Sequence, residues 1–417
     1  MSDGASLAER RERMTAEVLQ TSGVRDERIA AALRDVPRHL FLPHLPPEEA
    51  YLDDAIVTKR DAEGQPISSS SQPAIMAIML DQLTLAPGQR VLEIGAGTGY
   101  NAALMSHIIG PAGTVVSVDI EPDLVQTARG HLASAGYPDV TVVAADGAGG
   151  YPPGAPYDRV IATVGVSDLA PAWLQQAGPG ARIVVPLDVR GSQLSVAFGR
   201  AGSGGHWVSR SIMPCGFMRM RGSLAGPERT VVLQPGLSVT LPDGLTLADG
   251  HEVDGAALAA FLDGPPAEFA TGVRTSSMQV FWGLGLWLSA GDPRSCAVAG
   301  ERRGGEKDGP LARAPLRGSA LLATAGIVDS GGIAVLTADQ PEPGQLALAV
   351  AGFGPHGSEL GAALAAHVQA WDQAGQPAAA RLHVDAYPRS SPDEPVPPGD
   401  ALIIERPATR FVVYHNK

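Results

Sequence analysis

A glycine-rich loop lies where a short apolar run passes into a helical segment, and it restricts the fold more than any other feature. The run 91–101 reads VLEIGAGTGYN, with glycines at 95, 97 and 99. Glycine at these positions lets the backbone turn tightly and approach a ligand closely. The nicotinamide-binding fingerprint has its third glycine one position later, where this chain carries Tyr100, so the spacing disfavours a nicotinamide cofactor. A bare strand-to-helix turn remains the alternative for the loop alone.

Short apolar runs alternate with helical segments on both sides of this loop. Strands are predicted at 90–95, 114–119, 140–146, 158–164 and 181–187, and helices at 101–109, 124–135 and 171–177. This alternation is typical of right-handed βαβ units around a parallel sheet. The runs 193–199 and 206–213 follow without a helix between them, which indicates an antiparallel hairpin at the sheet edge. Residues 1–222 are therefore expected to form an α/β domain.

The pattern of residues changes after Gly222, where short strand-like segments are separated by Gly and Pro. Helices are predicted at 256–262 and 358–375, and strands at 319–328, 332–338, 345–353 and 381–388. Residues 223–417 are thus expected to form a smaller α/β or α+β accessory domain. No catalytic motif is visible there, so we expect it to serve substrate recognition. An oligomerisation or stabilising role is the alternative.

Three acids stand at the ends of three successive predicted strands: Glu93, Asp119 and Asp146. In open α/β sheets, the crevice at the carboxyl ends of the strands is where ligands bind. A carboxylate at Asp119 can accept hydrogen bonds from both ribose hydroxyls, and Asp146 with Gly147 can meet an adenine edge. Carboxylates repel phosphates, so a cationic adenosyl ligand such as S-adenosylmethionine fits this crevice better than a nucleotide.

Composition excludes several other classes of function. The chain has 31 basic and 44 acidic residues, a net charge of −13, and both predicted domains are acidic, which disfavours nucleic acid as a partner. No apolar run reaches the roughly 18 residues that a membrane-spanning helix needs. The two cysteines, Cys215 and Cys296, cannot form a disulfide framework, so we expect a cytoplasmic location. The histidines lack metal-ligand spacing, and we expect no metal.

The motifs taken together resemble the protein-L-isoaspartate O-methyltransferase family over about residues 25–222. The segments ALRDVPRHLFLP (32–43), AYLDDAI (50–56) and SQPAIMA (71–77) are similar to the family's opening segments. The glycine loop, SVDIEPDL, ADGAGGY, YDRVIATVGV and PGARIVVPL then follow in family order. Many methyltransferases share the glycine loop, but few share Ser-Gln-Pro about 20 residues before it. The resemblance implies a Rossmann-like, S-adenosylmethionine-dependent methyltransferase domain.

The resemblance also implies roles for particular residues. Ser71 takes the place of the family's active-site serine. Cofactor contacts are implied for Ser70, Gln72, Glu93, Gly95, Gly97, Thr98, Gly99, Tyr100, Asp119, Ile120, Asp146 and Gly147. Substrate contacts are implied for Ser69, Thr163, Val164, Gly165 and Val166. Ser70 departs from the family, which usually carries an aliphatic residue there, and a flexible polar loop is the alternative for 68–71.

The implied activity is methyl transfer from S-adenosylmethionine to an aspartyl or isoaspartyl carboxylate of a peptide or protein, leaving S-adenosylhomocysteine. The extension after Gly222 resembles a branch associated with ribosomally made peptides, namely lanthipeptides, lasso peptides and graspetides. That branch implies an L-aspartate of a modified precursor peptide as substrate, giving aspartimide or isoaspartate. Two alternatives remain: a general isoaspartyl repair enzyme, and a catalytically silent cofactor-binding recognition module.

Overall fold

The computed structural model describes residues 6–62, 64, 66–202, 205–227, 229–301, 311–317, 321–391, 397–398 and 401–415. Within these, the chain divides into two compact units. The first comprises residues 6–187, 193–226 and 383–415, and the second comprises residues 188–192 and 227–382, apart from the gaps just given. No helix among the described residues is long and apolar enough to cross a membrane.

The first unit begins with helices and a hairpin. Its elements here are α1 (Leu7–Ser22), α2 (Glu27–Asp35), a 3-10 turn (Arg38–Phe41), α3 (Pro47–Ala50), β1 (Ile56–Arg60) and β2 (Pro66–Ser70). A capping box of Ser6 and Glu9 starts α1, and left-handed Gly23 ends it. The antiparallel hairpin β1–β2, with Ile56 opposite Ser70, is not apparent in the sequence, because serines replace the apolar residues that usually identify a strand.

The predicted strand–helix alternation is confirmed in the rest of the first unit. The elements are α4 (Pro73–Leu83), β3 (Arg90–Ile94), α5 (Tyr100–Ile109), β4 (Thr114–Asp119), α6 (Pro122–Ser134), β5 (Thr141–Ala144), β6 (Tyr157–Ala162), α7 (Pro171–Gln176), β7 (Ala177–Val189), β8 (Ser192–Arg200) and β9 (Trp207–Pro214). Strands β5, β4, β3, β6 and β7 lie side by side and parallel. The predicted hairpin follows as antiparallel β8–β9. The carboxyl ends of the parallel strands therefore meet at one edge.

The second unit is an α+β structure on an antiparallel sheet. Its elements are β10 (Thr230–Gln234), β11 (Leu237–Thr240), α8 (Gly255–Leu262), β12 (Ala267–Thr275), α9 (Ser277–Gln279), a π-helical turn (Val280–Leu284), α10 (Gly285–Gly291), β13 (Ser295–Glu301), β14 (Leu316–Arg317), β15 (Leu321–Asp329), β16 (Gly332–Glu342), β17 (Gln345–Phe353) and α11 (Gly357–Gln373). The sheet order is β10-β11-β13-β15-β16-β17-β12, with β14 beside β15. The predicted strand 319–328 is described from Leu321 onward.

Both faces of this second sheet carry an apolar core. Along β16, Ile333 and Val335 belong to one buried cluster, while Ala334 and Leu336 belong to another. Because side chains alternate across a strand, the two clusters lie on opposite faces. Helix α8 contributes to the first cluster and α11 to the second. The second unit therefore has a hydrophobic interior of its own.

The last strands return to the first unit, which differs from the expected boundary after Gly222. They are β18 (Leu382–Pro388), β19 (Leu402–Glu405) and β20 (Thr409–His415). They extend the first sheet to ten strands in the order β19-β20-β18-β9-β8-β7-β6-β3-β4-β5. The pairing joins Asp385 to Val208 across β18 and β9. A truncation after Gly222 would therefore strip the partner strand from β9, a long-range pairing that sequence order does not reveal.

A buried ion pair within the second unit gives a prediction about stability. Arg229 donates to both carboxylate oxygens of Asp188, and the two side chains are only 7% and 5% exposed. Arg229→Met leaves the carboxylate buried without its partner, which we expect to lower the free energy of unfolding by about 3–5 kcal/mol. The matched control Arg313→Met breaks exposed pairs with Glu268 and Asp339 and is expected to cost about 1 kcal/mol or less. Equal losses for both variants in denaturant titrations would contradict this.

Candidate active site

The glycine loop connects β3 to α5 in a conformation that excludes larger residues. Gly95, Gly97 and Gly99 have φ angles of +100°, +51° and +88°, in the region that favours glycine. A Cβ atom on Gly95 would lie 2.7 Å from Thr163 Oγ1. That hydroxyl instead donates a 2.7 Å hydrogen bond to the Gly95 carbonyl. The loop is thus held against the end of β6 as well as β3.

A cleft of about 870 Å³, counted to its open mouth, lies at this edge of the sheet within the first unit. Twelve of the predicted site residues line it: Ser69, Ser70, Ser71, Gly95, Gly97, Thr98, Tyr100, Asp119, Ile120, Gly147, Thr163 and Val164. Six other predicted residues do not line it: Gln72, Glu93, Gly99, Asp146, Gly165 and Val166. The structure therefore brings the serine run, the glycine loop and two strand ends together around one space.

Asp119 faces the cleft and also holds the glycine loop in place. Its Oδ2 accepts from the Gly97 amide at 3.0 Å, and its Oδ1 accepts from the Glu121 amide at 3.1 Å. A carboxylate has about four acceptor sites, so these bonds leave capacity for two further donors. The two hydroxyls of a ribose are donors of the right kind.

Glu93 occupies a different place from the one that the family resemblance implies. Its side chain has no exposed surface and lies beneath the loop, where Asn101 Nδ2 donates to Oε1 at 2.7 Å and Ser117 Oγ to Oε2 at 2.5 Å. Burial raises the pKa of Glu93 to about 7, and the bonds from Ser117 and Asn101 oppose that rise. Its geometry is that of a support joining β3, β4 and α5 below the site.

Asp146 likewise does not line the cleft. It binds the end of a segment, called here the covering segment, of which residues 217–221 line the cleft. Its carboxylate accepts from the Ala148 amide at 2.9 Å and the Ser223 amide at 2.8 Å. A Cβ atom on Gly222 would lie 2.8 Å from Asp146 Oδ2, so the covering segment approaches this acid closely. Residues 217–221 of that segment line the cleft.

Sequence reasoning missed the covering segment and several other lining residues: Ile67, Ser68, Met76, Ile94, Ala96, Asn101, Val118, Leu124, Phe217, Met218, Arg219, Met220 and Arg221. The segment is placed by backbone pairing, because the Gly165 amide donates to the Met218 carbonyl and the Met220 amide to the Gly165 carbonyl, each at 2.8 Å. The side chains of 217–221 carry no pattern that indicates this pairing. Gly165 and Val166, although outside the lining, belong to the strip that holds it.

The hairpin β1–β2 and the covering segment both form ion pairs with Glu121. Lys59 of the hairpin β1–β2 lies 2.5 Å from Glu121 Oε2, and Arg221 of the covering segment lies 2.6 Å from Glu121 Oε1. Lys59 also pairs with Asp123 at 2.8 Å. Hydrogen bonds from Lys59 and Arg221 hold the pKa of Glu121 below its usual range. Glu121, which follows Asp119 and Ile120 in the chain, thus holds both the hairpin and the covering segment by ion pairs.

The lining fits an adenosyl cofactor with an amino-acid tail. Three lining residues carry a buried polar atom that has no partner among the described residues: Ser70 Oγ, Tyr100 OH and Asn101 Oδ1. An unpaired buried polar group costs about 1–3 kcal/mol, and a polar ligand in the cleft would offer partners.

Comparison with known proteins agrees with this geometry. The family model described as Protein-L-isoaspartate(D-aspartate) O-methyltransferase (PCMT) matches residues 9–223. The chain belongs to this family. The protein-L-isoaspartate O-methyltransferase of Methanopyrus kandleri is 40% identical over 184 residues, which are 44% of this chain and 79% of that relative. The enzyme is therefore an S-adenosylmethionine-dependent carboxyl O-methyltransferase, and S-adenosylmethionine is its cofactor.

Two solved structures are similar to this enzyme. One, a protein-L-isoaspartate O-methyltransferase, is 24% identical, with a TM-score of 0.49, and the match covers 90% of this chain and 96% of that one. The other, a putative protein-L-isoaspartate O-methyltransferase from Plasmodium falciparum in complex with S-adenosyl-L-homocysteine, is 13% identical, with a TM-score of 0.44, and the match covers 51% of this chain and 98% of that one.

The buried carboxyl of Glu93 predicts a pH dependence of stability. The folded chain retains a proton on Glu93 that the unfolded chain releases above pH of about 4.3. Stability should therefore fall as pH rises from about 4.3 to about 7, by about 3 kcal/mol for a shift of this size. Glu93→Gln should flatten this part of the curve, as measured by denaturant unfolding at several pH values. The exposed control Glu17→Gln should keep the wild-type slope, and equal slopes for all three proteins would contradict the assignment.

The double role of Asp119 predicts a loss of cofactor affinity on truncation. Asp119→Ala removes the acceptor for the ribose and the partner of the Gly97 amide. We expect S-adenosylhomocysteine to bind about 1–3 kcal/mol more weakly, as measured by titration calorimetry. The matched control is Asp139→Ala, at an exposed acid outside the cleft, and it should bind as the wild type does. Unchanged affinity in Asp119→Ala would refute the ribose role.

Proposed function

We propose that this enzyme methylates the carboxylate of isoaspartyl residues in peptides and proteins, and that it acts as a general repair methyltransferase. The observation that carries the proposal is the shared cleft, in which Ser69–Ser71 and Thr163–Val164 line the same space as the glycine loop and Asp119. The family model, whose description names isoaspartate, matches residues 9–223, and these include every residue that lines the cleft. Family membership also favours an enzyme over the catalytically silent module.

The chemistry needs positioning rather than a general base. A carboxyl group with a reference pKa near 3.9 is already ionised at pH 7 and is ready to act as a nucleophile. When bound, S-adenosylmethionine supplies an electrophilic methyl group on a sulfonium. The contribution of the chain is to align a carboxylate oxygen with that methyl and to keep water away from both charges.

Named residues can divide this work. The Ser71 hydroxyl can donate a hydrogen bond to the substrate carboxylate and orient it without giving up its proton. Asp119 holds the ribose side of the cleft, next to the loop that it fixes. Residues 67–70 of β2 and residues 217–221 line the cleft, where they can shield a bound cofactor and substrate from water.

The test is a pair of peptides that differ only in the linkage of one aspartate. We expect the full-length enzyme to methylate the isoaspartyl peptide and to leave the L-aspartyl peptide unmodified, measured as methyl ester formed by mass spectrometry. Methylation of the L-aspartyl peptide alone, or of neither peptide, would reject the proposal.

Ser71→Ala should separate turnover from cofactor binding. The variant loses the donor to the substrate carboxylate, so we expect kcat to fall by about tenfold or more, the equivalent of one charge-assisted hydrogen bond. Affinity for S-adenosylhomocysteine should remain close to that of the wild type. The control Ser134→Ala removes an exposed hydroxyl outside the cleft and should keep the wild-type kcat. Equal losses of turnover and cofactor affinity would instead make Ser71 a cofactor contact.

A second candidate is the methylation of an L-aspartate in a cyclised precursor peptide. It is favoured by the second unit, which has two apolar cores and follows the family match that ends at residue 223. On this reading the second unit recognises the peptide. A constrained cyclic peptide with one aspartate should then be methylated faster than the linear isoaspartyl peptide, and the reverse order would reject this second candidate.

The cytoplasmic location of the enzyme stays a prediction.

A further inference from the structure

Arg38 is a buried cation that binds the backbone of Ser71, a residue that lines the cleft. It lies in the 3-10 turn after α2, and its side chain has no exposed surface. Its guanidinium donates from Nε to the Ala50 carbonyl at 2.9 Å, from Nη1 to the Ser71 carbonyl at 3.2 Å and from Nη2 to the Asp54 carbonyl at 3.4 Å. One planar group therefore joins the loop after α3 to Ser71.

The charge of Arg38 is balanced without a direct ion pair. Among the described residues, no carboxylate oxygen lies within 4.0 Å of its nitrogens. The guanidinium carbon lies 5.1 Å from the ring centre of Tyr100, a residue that lines the cleft. A buried cation held by carbonyls, a ring and the charge of nearby Asp53 is costly to maintain, and its fork can satisfy these carbonyl acceptors in one orientation only.

The junction that Arg38 holds has few other attachments. Ser71 and Gln72 connect β2 to α4, and α4 starts at Pro73, which has no amide proton to donate. Asp53, in the loop that Arg38 also binds, accepts from the Ala74 amide at 2.8 Å and from Gln72 Nε2 at 3.2 Å. Residues 50–54 are thus attached to the chain on both sides of Ser71. Arg38 links them to the Ser71 carbonyl, and Asp53 binds the start of α4.

We infer that Arg38 is a positioning residue for methyl transfer: its fork fixes the backbone of Ser71, so that the Ser71 hydroxyl meets the substrate carboxylate in the cleft. The inference rests on the proposed function of Ser71. Lysine cannot replace the fork, because an ammonium is a point donor that cannot span three carbonyls in one plane. Loss of the fork should misplace the hydroxyl while the glycine loop and Asp119 remain as they are.

The chain offers a matched control at the other end of the same helix. Arg159 donates from Nε to the Leu83 carbonyl at 2.6 Å and from Nη2 to the Thr84 carbonyl at 3.1 Å, at the carboxyl end of α4. It does not line the cleft. Arg159→Lys therefore disrupts the same kind of carbonyl grip on the same helix, away from Ser71.

The experiment compares full-length Arg38→Lys, Arg38→Gln and Arg159→Lys with the wild type. We expect the Arg38 variants to lose about 10–100-fold in kcat on the isoaspartyl peptide, as misplacement of a reacting group does. Their affinity for S-adenosylhomocysteine should change by less than about threefold, the scale of a change that spares the binding contacts. Arg159→Lys should keep its kcat within about twofold, since no reacting group moves.

A double-mutant cycle with Ser71→Ala shows whether Arg38 acts through Ser71. In the Ser71→Ala background, Arg38→Lys should cost little further kcat, because the group that it positions is already gone. Fully additive losses, an unchanged kcat in Arg38→Lys, or an equal loss in Arg159→Lys would each overturn the inference. Failure of both Arg38 variants to fold beside a folded Arg159→Lys would assign Arg38 to stability alone and would also overturn it. An inactive wild type would instead reject the proposed function.

Discussion

The close contact between Gly95 and Thr163 is the constraint on which the cleft depends. Gly95 has a φ of +100°, which favours glycine, and a Cβ atom there would lie 2.7 Å from Thr163 Oγ1, so a larger residue would strain the loop where β3 ends beside β6. The Thr163 hydroxyl converts this approach into a hydrogen bond to the loop. Below the loop, Glu93 holds Asn101 and Ser117, and above it Asp119 holds the Gly97 amide. The two acids that flank the loop thus hold it in place from both sides.

The cover of the cleft is assembled from parts that are distant in the chain. The hairpin β1–β2 and the segment 217–221 come from either end of the family region, and both are tied to Glu121 by ion pairs. The segment is also paired with Gly165 and anchored by Asp146. Two of the acids implied as cofactor ligands lie outside the cleft lining: Glu93 supports the loop from beneath, and Asp146 anchors the covering segment.

The residues beyond the family match complete the first sheet and also form the second unit. Strands β18 to β20 complete the first sheet and cover the edge of β9, which would otherwise present unpaired backbone groups. The intervening residues form a second unit with its own sheet and cores. The large insertion between β9 and β18 is thus bounded by strands of the methyltransferase sheet.

The parallel sheet, the hairpin β8–β9, the glycine loop and the family could be read from the sequence, because each depends on local periodicity or fixed spacing. Asp119 could also be placed at the cleft, since parallel strands bring their carboxyl ends to one edge, whereas Ser69–Ser71 were named only through the family resemblance. The positions of Glu93 beneath the loop and of Asp146 against the covering segment, and the pairing of β18 with β9, come from the three-dimensional structure alone. Each depends on contacts between groups that are far apart in the chain, such as the Ser223 amide with Asp146, and no local pattern of residues encodes such contacts.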